Sequence, residues 1–196
     1  LMATTYDILT LDEARAAVMA PNADYDDQLI LMNTAVSQRF DDLCGPVVIQ
    51  PYVEDYDPAG SVFTLRHRPL AAFTSVVEYI YGNAVTLTAE TMTTPGTYLW
   101  KPVEGVVVRR NSFFDYPFLG RVRVTYTAGR AASTAAVPER FKQAAAITLA
   151  HIWRSEQGSG NQTFGVAEVP AFGPTFSIPN RALELISADR LTPGIA

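Results

Sequence analysis

Hydrophobic positions along the chain follow three successive rhythms. Thr10-Leu-Asp-Glu13 has the spacing of a capping box, in which the threonine hydroxyl accepts the N3 backbone N–H and the glutamate reaches back to the cap. It predicts a short helix over residues 11–19, stopped by Pro21. From Asp24 to Leu43 the apolar positions Leu29, Met32, Val36, Phe40 and Leu43 recur at steps of three and four. Asp24, Asp26 and Asp27 suit the positive end of that helix, and Gly45-Pro46 closes it.

From Val47 to about Tyr126 the period falls to two, with β-branched and aromatic residues between turn signals such as Asp57-Pro-Ala-Gly60, Tyr81-Gly-Asn83 and Thr94-Pro-Gly96. The clearest strands are residues 61–66, 72–79, 84–88, 105–109 and 121–126. In the last, Val122, Val124 and Tyr126 alternate with Arg121, Arg123 and Thr125, which predicts a sheet with one wet face. Helical spacing returns after Val137-Pro138, where Phe141, Ala144, Ala145, Thr148, Leu149, Ile152 and Trp153 form one stripe. Residues 158–177 hold four glycines and two prolines among scattered apolar residues. They read either as an arm that orders on a partner or as an ordered surface loop. A short helix over residues 179–187 and a tail over 188–196 follow.

The fold class expected is therefore α+β: a small helical bundle drawn from both chain ends, with an inserted antiparallel β-rich unit, sandwich- or barrel-like. The boundaries expected are residues 1–46 with 131–196 for the helical core, including the arm and tail, and 47–130 for the insert.

Composition narrows the function. With 48% hydrophobic and 18% charged residues, the 196-residue chain has the makeup of a globular protein. No apolar run approaches the roughly 20 residues of a membrane span, and no secretory signal is expected at the start. Cytoplasmic synthesis is the expectation, and the single cysteine, Cys44, allows no internal disulfide. The net charge of −5 speaks against general binding to phosphate backbones. Charge is also segregated: residues 1–60 carry two basic side chains against eleven acids, and residues 61–130 carry eight against four. Such a split suits a subunit whose one face meets the opposite face of a neighbour, and it also suits an ordinary solvated surface.

Candidate chemistry is sparse. His67 and His151 have no companions at zinc-ligand spacing, and both read as structural. Gly158-Ser-Gly160 lacks the full nucleophile elbow, and neither a phosphate loop nor a dinucleotide fingerprint occurs. Asp24, Asp26, Asp27, Asp41 and Asp42 lack calcium-loop spacing and read as helix-capping acids. Cys44 reads as a small buried hydrophobe. Phe113-Phe-Asp-Tyr-Pro-Phe118, with Tyr98 and Trp100, has the residue types of a sugar-stacking platform, against a packing role in core and turn. No catalytic constellation assembles, so the expectation is a protein that is not an enzyme and needs no cofactor or metal.

Val122-Arg-Val-Thr-Tyr-Thr-Ala-Gly-Arg130, then Val137-Pro-Glu-Arg-Phe-Lys-Gln-Ala-Ala-Ala-Ile-Thr-Leu-Ala-His-Ile-Trp153, resembles the head-tail connector (adaptor) family of long-tailed bacteriophages. Ser177-Ile-Pro-Asn-Arg-Ala-Leu-Glu-Leu-Ile186 and the opening Thr10-Leu-Asp-Glu-Ala14 with its acidic second helix extend the resemblance to a little over half the chain. The β insert departs from the smallest, nearly all-helical members, although larger relatives carry such inserts. The resemblance implies a virion protein at the head-tail interface, a ring of copies, usually twelve, docked under the portal protein. Its lumen would pass the packaged DNA without sequence-specific binding, and its lower rim would receive a tail-terminator or tail-completion protein.

On that reading Arg121, Arg123 and Arg130 face Asp24, Asp26 and Asp27 of a neighbour, and Phe164, Phe172 and Phe176 anchor the arm on a subunit or portal. Two other roles stay open: a tail-completion or tail-terminator protein, and a carbohydrate-binding β-module for host attachment.

Overall fold

α1 (Leu11–Val18) starts with the reciprocal cap that the sequence predicts: Glu13 N–H donates to Thr10 Oγ1 at 3.3 Å, and Thr10 N–H donates to Glu13 Oε2 at 2.8 Å. Its end differs from expectation. Met19 adopts a left-handed conformation (φ 58°) and returns its N–H to Ala16, while Ala20 N–H bonds Arg15, so the chain leaves the helix before Pro21. The computed structural model describes residues 6–20, 23–101, 104–157 and 178–191. It divides into two compact units, Leu1–Val47 with Ala131–Ala196, and Val48–Arg130.

In the first unit, α2 (Asp26–Cys44) and α3 (Glu139–Gln157) are the long helices, and α4 (Asn180–Leu185) is a single short one. α3 packs against each of the other three. The stripes read from the sequence are the buried ones: Leu29, Met32, Val36 and Phe40 on α2, and Phe141, Ala144, Ala145, Leu149 and Ile152 on α3. Each large side chain buried this way contributes about 1.5–3 kcal/mol before conformational entropy is subtracted. Ala144 and Ala145 are fully buried in that stripe. Ahead of α1, the segment 7–9 is pinned on α2: Ile8 N–H donates to Ser37 Oγ (2.9 Å) and Asn33 Nδ2 donates to Leu9 O (2.8 Å).

In the second unit, β1 (Gln50–Tyr56), β2 (Val62–Thr64), β3 (Leu70–Ile80), β4 (Asn83–Leu87), β5 (Tyr98–Lys101), β6 (Val106–Asn111), β7 (Phe114–Asp115) and β8 (Arg121–Ala128) form two antiparallel sheets. One has the order β1-β8-β3-β4 and the other β2-β6-β5, with β7 paired to β6. Val76, Leu87, Val122, Val124, Tyr126 and Ala128 of the first share one apolar core with Phe63, Tyr98 and Val107 of the second. Two sheets over one core make this a sandwich. The α+β class expected from the sequence is borne out, and all five expected strands are present with shifted ends. β1, β5 and the two-residue β7 are additional.

Candidate functional site

Alternation along β8 decides which of the expected interface residues reach solvent. Val122, Val124, Tyr126 and Ala128 fill the core, so Arg121 and Arg123 stand on the outer face of the four-stranded sheet. Register places Asp55 of β1 directly opposite Arg123. The guanidinium holds that carboxylate in a fork, Nε to Oδ1 at 2.7 Å and Nη2 to Oδ2 at 2.8 Å, and lies 5.8 Å from the centre of the Tyr79 ring. The hydrogen bond holds Asp55 below the usual carboxylate range and raises Arg123 further above its own. Arg121 is exposed one pair further along the same face, beside Tyr79. Arg130 ends the unit and is half-buried.

The acidic side is built at the start of α2. Asp24 and Asp27 are exposed there. Asp26 points back at α1, where Arg15 donates Nε to Oδ1 at 2.8 Å and Nη2 to Oδ2 at 2.5 Å, and also reaches Asp12 at 3.1 Å. That hydrogen bond, ahead of the opposing effect of burial, lowers Asp26 and raises Arg15. Arg123 and Asp26, expected to seek a neighbouring copy, thus each have a partner in their own chain. Arg121, Asp24 and Asp27 remain on the surface. Phe164, Phe172 and Phe176 lie outside the described residues.

Sequence reading missed the polar interior of the sandwich. Glu54 of β1 points inward and is 8% exposed. Its Oε2 accepts from the Tyr56 hydroxyl and from the Tyr126 hydroxyl (2.9 Å), and its Oε1 lies 2.7 Å from His67 Nδ1. Burial pushes the Glu54 carboxyl up, but the hydrogen bonds from Tyr56, Tyr126 and His67 outweigh it, so the net direction is down. The same burial, aided by the adjacent carboxylate, raises both phenols. His67 stacks on Tyr52 with ring centres 3.8 Å apart. With both oxygens occupied, Glu54 is an acceptor that ties β1, β8 and the residue 65–69 segment together. On the same inner face Glu78 accepts from Arg109 of the opposite sheet (3.1 Å) and from Leu119 N–H (2.5 Å).

The residues of a sugar platform are dispersed. Tyr98 and Phe118 are buried, and the half-buried Trp100 packs on Phe73 at 5.4 Å, leaving Phe113 and Phe114 exposed. A shallow groove on the outer face of the second sheet is lined by Val62, Leu99, Val106 and Val108 with the charged Lys101, Glu104, Arg110 and Asp115. His151 is exposed on α3, and Cys44 is buried at the end of α2. Among the described residues no group of His, Cys, Asp and Glu is arranged to hold a metal, and no helix is long and apolar enough to cross a membrane.

No family model matches the chain, and no curated protein matches it. Solved structures do. The chain is similar to a chain of the neck of the empty gene transfer agent (GTA) particle computed with C6 symmetry, with a TM-score of 0.63 and 18% identity over 100% of this chain and 98% of that one. A chain from the virion of the native GTA particle gives a TM-score of 0.65 and 20% identity over 96% and 92%. A third, from the neck of the native particle computed with C12 symmetry, gives 0.56 and 19% over 98% and 97%. In its described residues the chain shares the fold of these particle neck and virion chains.

Proposed function

We propose that the chain is a structural subunit of a virion neck, a head-to-tail adaptor that closes into a ring between the portal protein and the tail. The observation that carries this reading is likeness over almost the whole of both chains to neck chains described with C6 and C12 symmetry. The likeness covers nearly all of this chain, so it takes in both of its units and not one common module. Cyclic symmetry supports a ring of copies, twelve on the C12 description. A ring needs two different patches per subunit, and the exposed Asp24 and Asp27 at the start of α2 and the exposed Arg121 on β8 supply charges of opposite sign. Its work is assembly rather than catalysis: it docks on the portal, receives a tail-terminator or tail-completion protein, and lets DNA pass through an overall acidic ring without being held.

The experiment is to mix the purified chain with cognate DNA-filled, tail-less heads, sediment them, and image the pellet by electron microscopy. A ring beneath the portal is the expected result. Binding to isolated tails and not to heads would move the protein to tail completion, and binding to neither would remove it from the neck.

A further inference from the structure

Hydrogen-bond alternation in the four-stranded sheet determines which backbone groups its two outer strands present to the outside. Ile80-Tyr81-Gly82-Asn83 is a two-residue hairpin with positive φ at both central positions (50° and 82°), a type I′ turn that bonds residue 80 to residue 83. Bonded and non-bonded pairs alternate from there. Residues 80, 78 and 76 of β3 therefore bond β4, and residues 79 and 77 bond Arg121 and Arg123 of β8. Val122 and Val124 then bond Tyr56 and Glu54 of β1. The remaining groups point away from the sheet: those of Ala84 and Thr86 on β4, and those of Pro51, Val53 and Asp55 on β1. Among the described residues neither strand has a second partner.

The two edges are complementary. β1 and β3 run the same way, and β8 and β4 run opposite to them. An even number of alternating strands leaves β4 antiparallel to the β1 of a copy placed beside it. Setting Ala84 opposite Asp55 and Thr86 opposite Val53 makes every N–H of one edge face a carbonyl of the other, while the outer-face side chains of both strands stay on one face. Pro51, which has no N–H to give, then falls opposite Thr88, whose N–H is already bonded to Thr97 Oγ1 at 2.7 Å. The pairing stops where both strands run out of donors. β4 also lacks the charges and prolines that guard edge strands, and Val53 and Val85 leave 64% and 40% of their surface exposed. The second sheet offers less: β2 has three residues, and β5 is flanked at Tyr98 by a bridge to Ala89.

We propose that β4 of one copy adds to β1 of the next, in this register, so that the first sheet runs on from subunit to subunit. This rests on the ring reading above, and it adds to the oppositely charged patches a second pair of unlike surfaces of the kind a rotationally closed assembly uses.

The test is the full-length chain carrying Val53→Cys and Thr86→Cys, assembled on tail-less heads and mildly oxidised. A bonded antiparallel pair holds its Cα atoms about 5.5 Å apart, within disulfide range. The expected result is a ladder of covalent multimers on a non-reducing gel, absent from a chain carrying either substitution alone beside the buried Cys44. Ala84→Cys with Asp55→Cys reports the same register should the first pair fail to fold. Rings visible by microscopy with no ladder from either pair would overturn the strand pairing and leave the ring standing. Absence of rings from the unmodified chain would overturn both.

Discussion

Glu78 of β3 and Arg109 of β6 join the two sheets through an ion pair, Oε2 to Nε at 3.1 Å, with 0% and 11% of their side chains exposed. Each charge is otherwise satisfied. Leu119 N–H donates to Glu78, and Arg109 Nη1 donates to the carbonyls of Thr97 (2.7 Å) and Arg110 (2.8 Å). Removing one partner strands a charge where water cannot reach it. Arg109→Met is expected to lower the unfolding free energy by about 3–5 kcal/mol, and adding Glu78→Met to recover part of that loss. Urea denaturation with unchanged m-values measures both, and a single substitution costing under about 1 kcal/mol would refute the cost assigned to the unpaired carboxylate.

The Glu54 cluster predicts a pH window. Because the folded state lowers the Glu54 pKa, its contribution to stability is complete above the ordinary carboxylate range and is lost as pH falls through the folded value. Tyr56 and Tyr126 are shifted up, so their contribution is complete below the ordinary phenol range near 10 and fades as pH rises beyond it. Melting temperature is expected to fall at both extremes. Glu54→Gln should flatten the acid limb, and an unchanged acid limb would remove Glu54 from its cause.

Glu54 also explains why β1 was hard to read. Gln50-Pro-Tyr-Val-Glu-Asp-Tyr56 has a proline and two acids where a strand is expected to show alternating apolar residues. Of the partners that let Glu54 face inward, Tyr56 is local, but Tyr126 and His67 lie 72 and 13 residues away, and nothing in the strand announces them. β5 was missed for another reason, being four residues long. Helices were legible because α2 and α3 bury one stripe each, so a 3.6-residue period survives in the sequence. The alternation in β8 gave Arg121 and Arg123 their face, but the capture of Arg123 by Asp55 depends on strand pairing that no single segment encodes.

The capping box sets the entry to α1. Thr10→Ala is expected to cost about 1 kcal/mol by thermal or chemical denaturation, and Thr10→Asn to be close to neutral, since both asparagine and threonine accept the N3 donor. Equal losses from the two would show that the hydroxyl is not acting as a cap.

Tyr81 occupies the first central position of a type I′ turn with its side chain fully exposed. An aromatic residue is strained there and asparagine is not. Tyr81→Asn is expected to raise stability by about 0.5–1 kcal/mol. A loss of stability would mean that the ring makes a contact within the subunit.

Arg121→Glu with Arg123→Glu is expected to prevent ring closure on heads while the isolated subunit keeps its circular dichroism spectrum. Arg121→Glu alone, which leaves the Arg123–Asp55 fork in place, separates the surface charge from the local pair. Undiminished rings from the double variant would remove the β8 arginines from assembly.

At the seam of the helical unit, Ala131 N–H bonds Val47 O at 2.9 Å, so the chain departs for residues 48–130 and comes back to the point it left. From the helices' side the whole sandwich is one long excursion with no net displacement. Register within the excursion repeats the arrangement, since Gln50 pairs with Ala128 near its two ends. A lineage could therefore trade this module for another, or shrink it to a tight turn, without re-spacing a single helix. The bundle is free to keep its shape under selection for one set of contacts while the inserted module drifts to suit another.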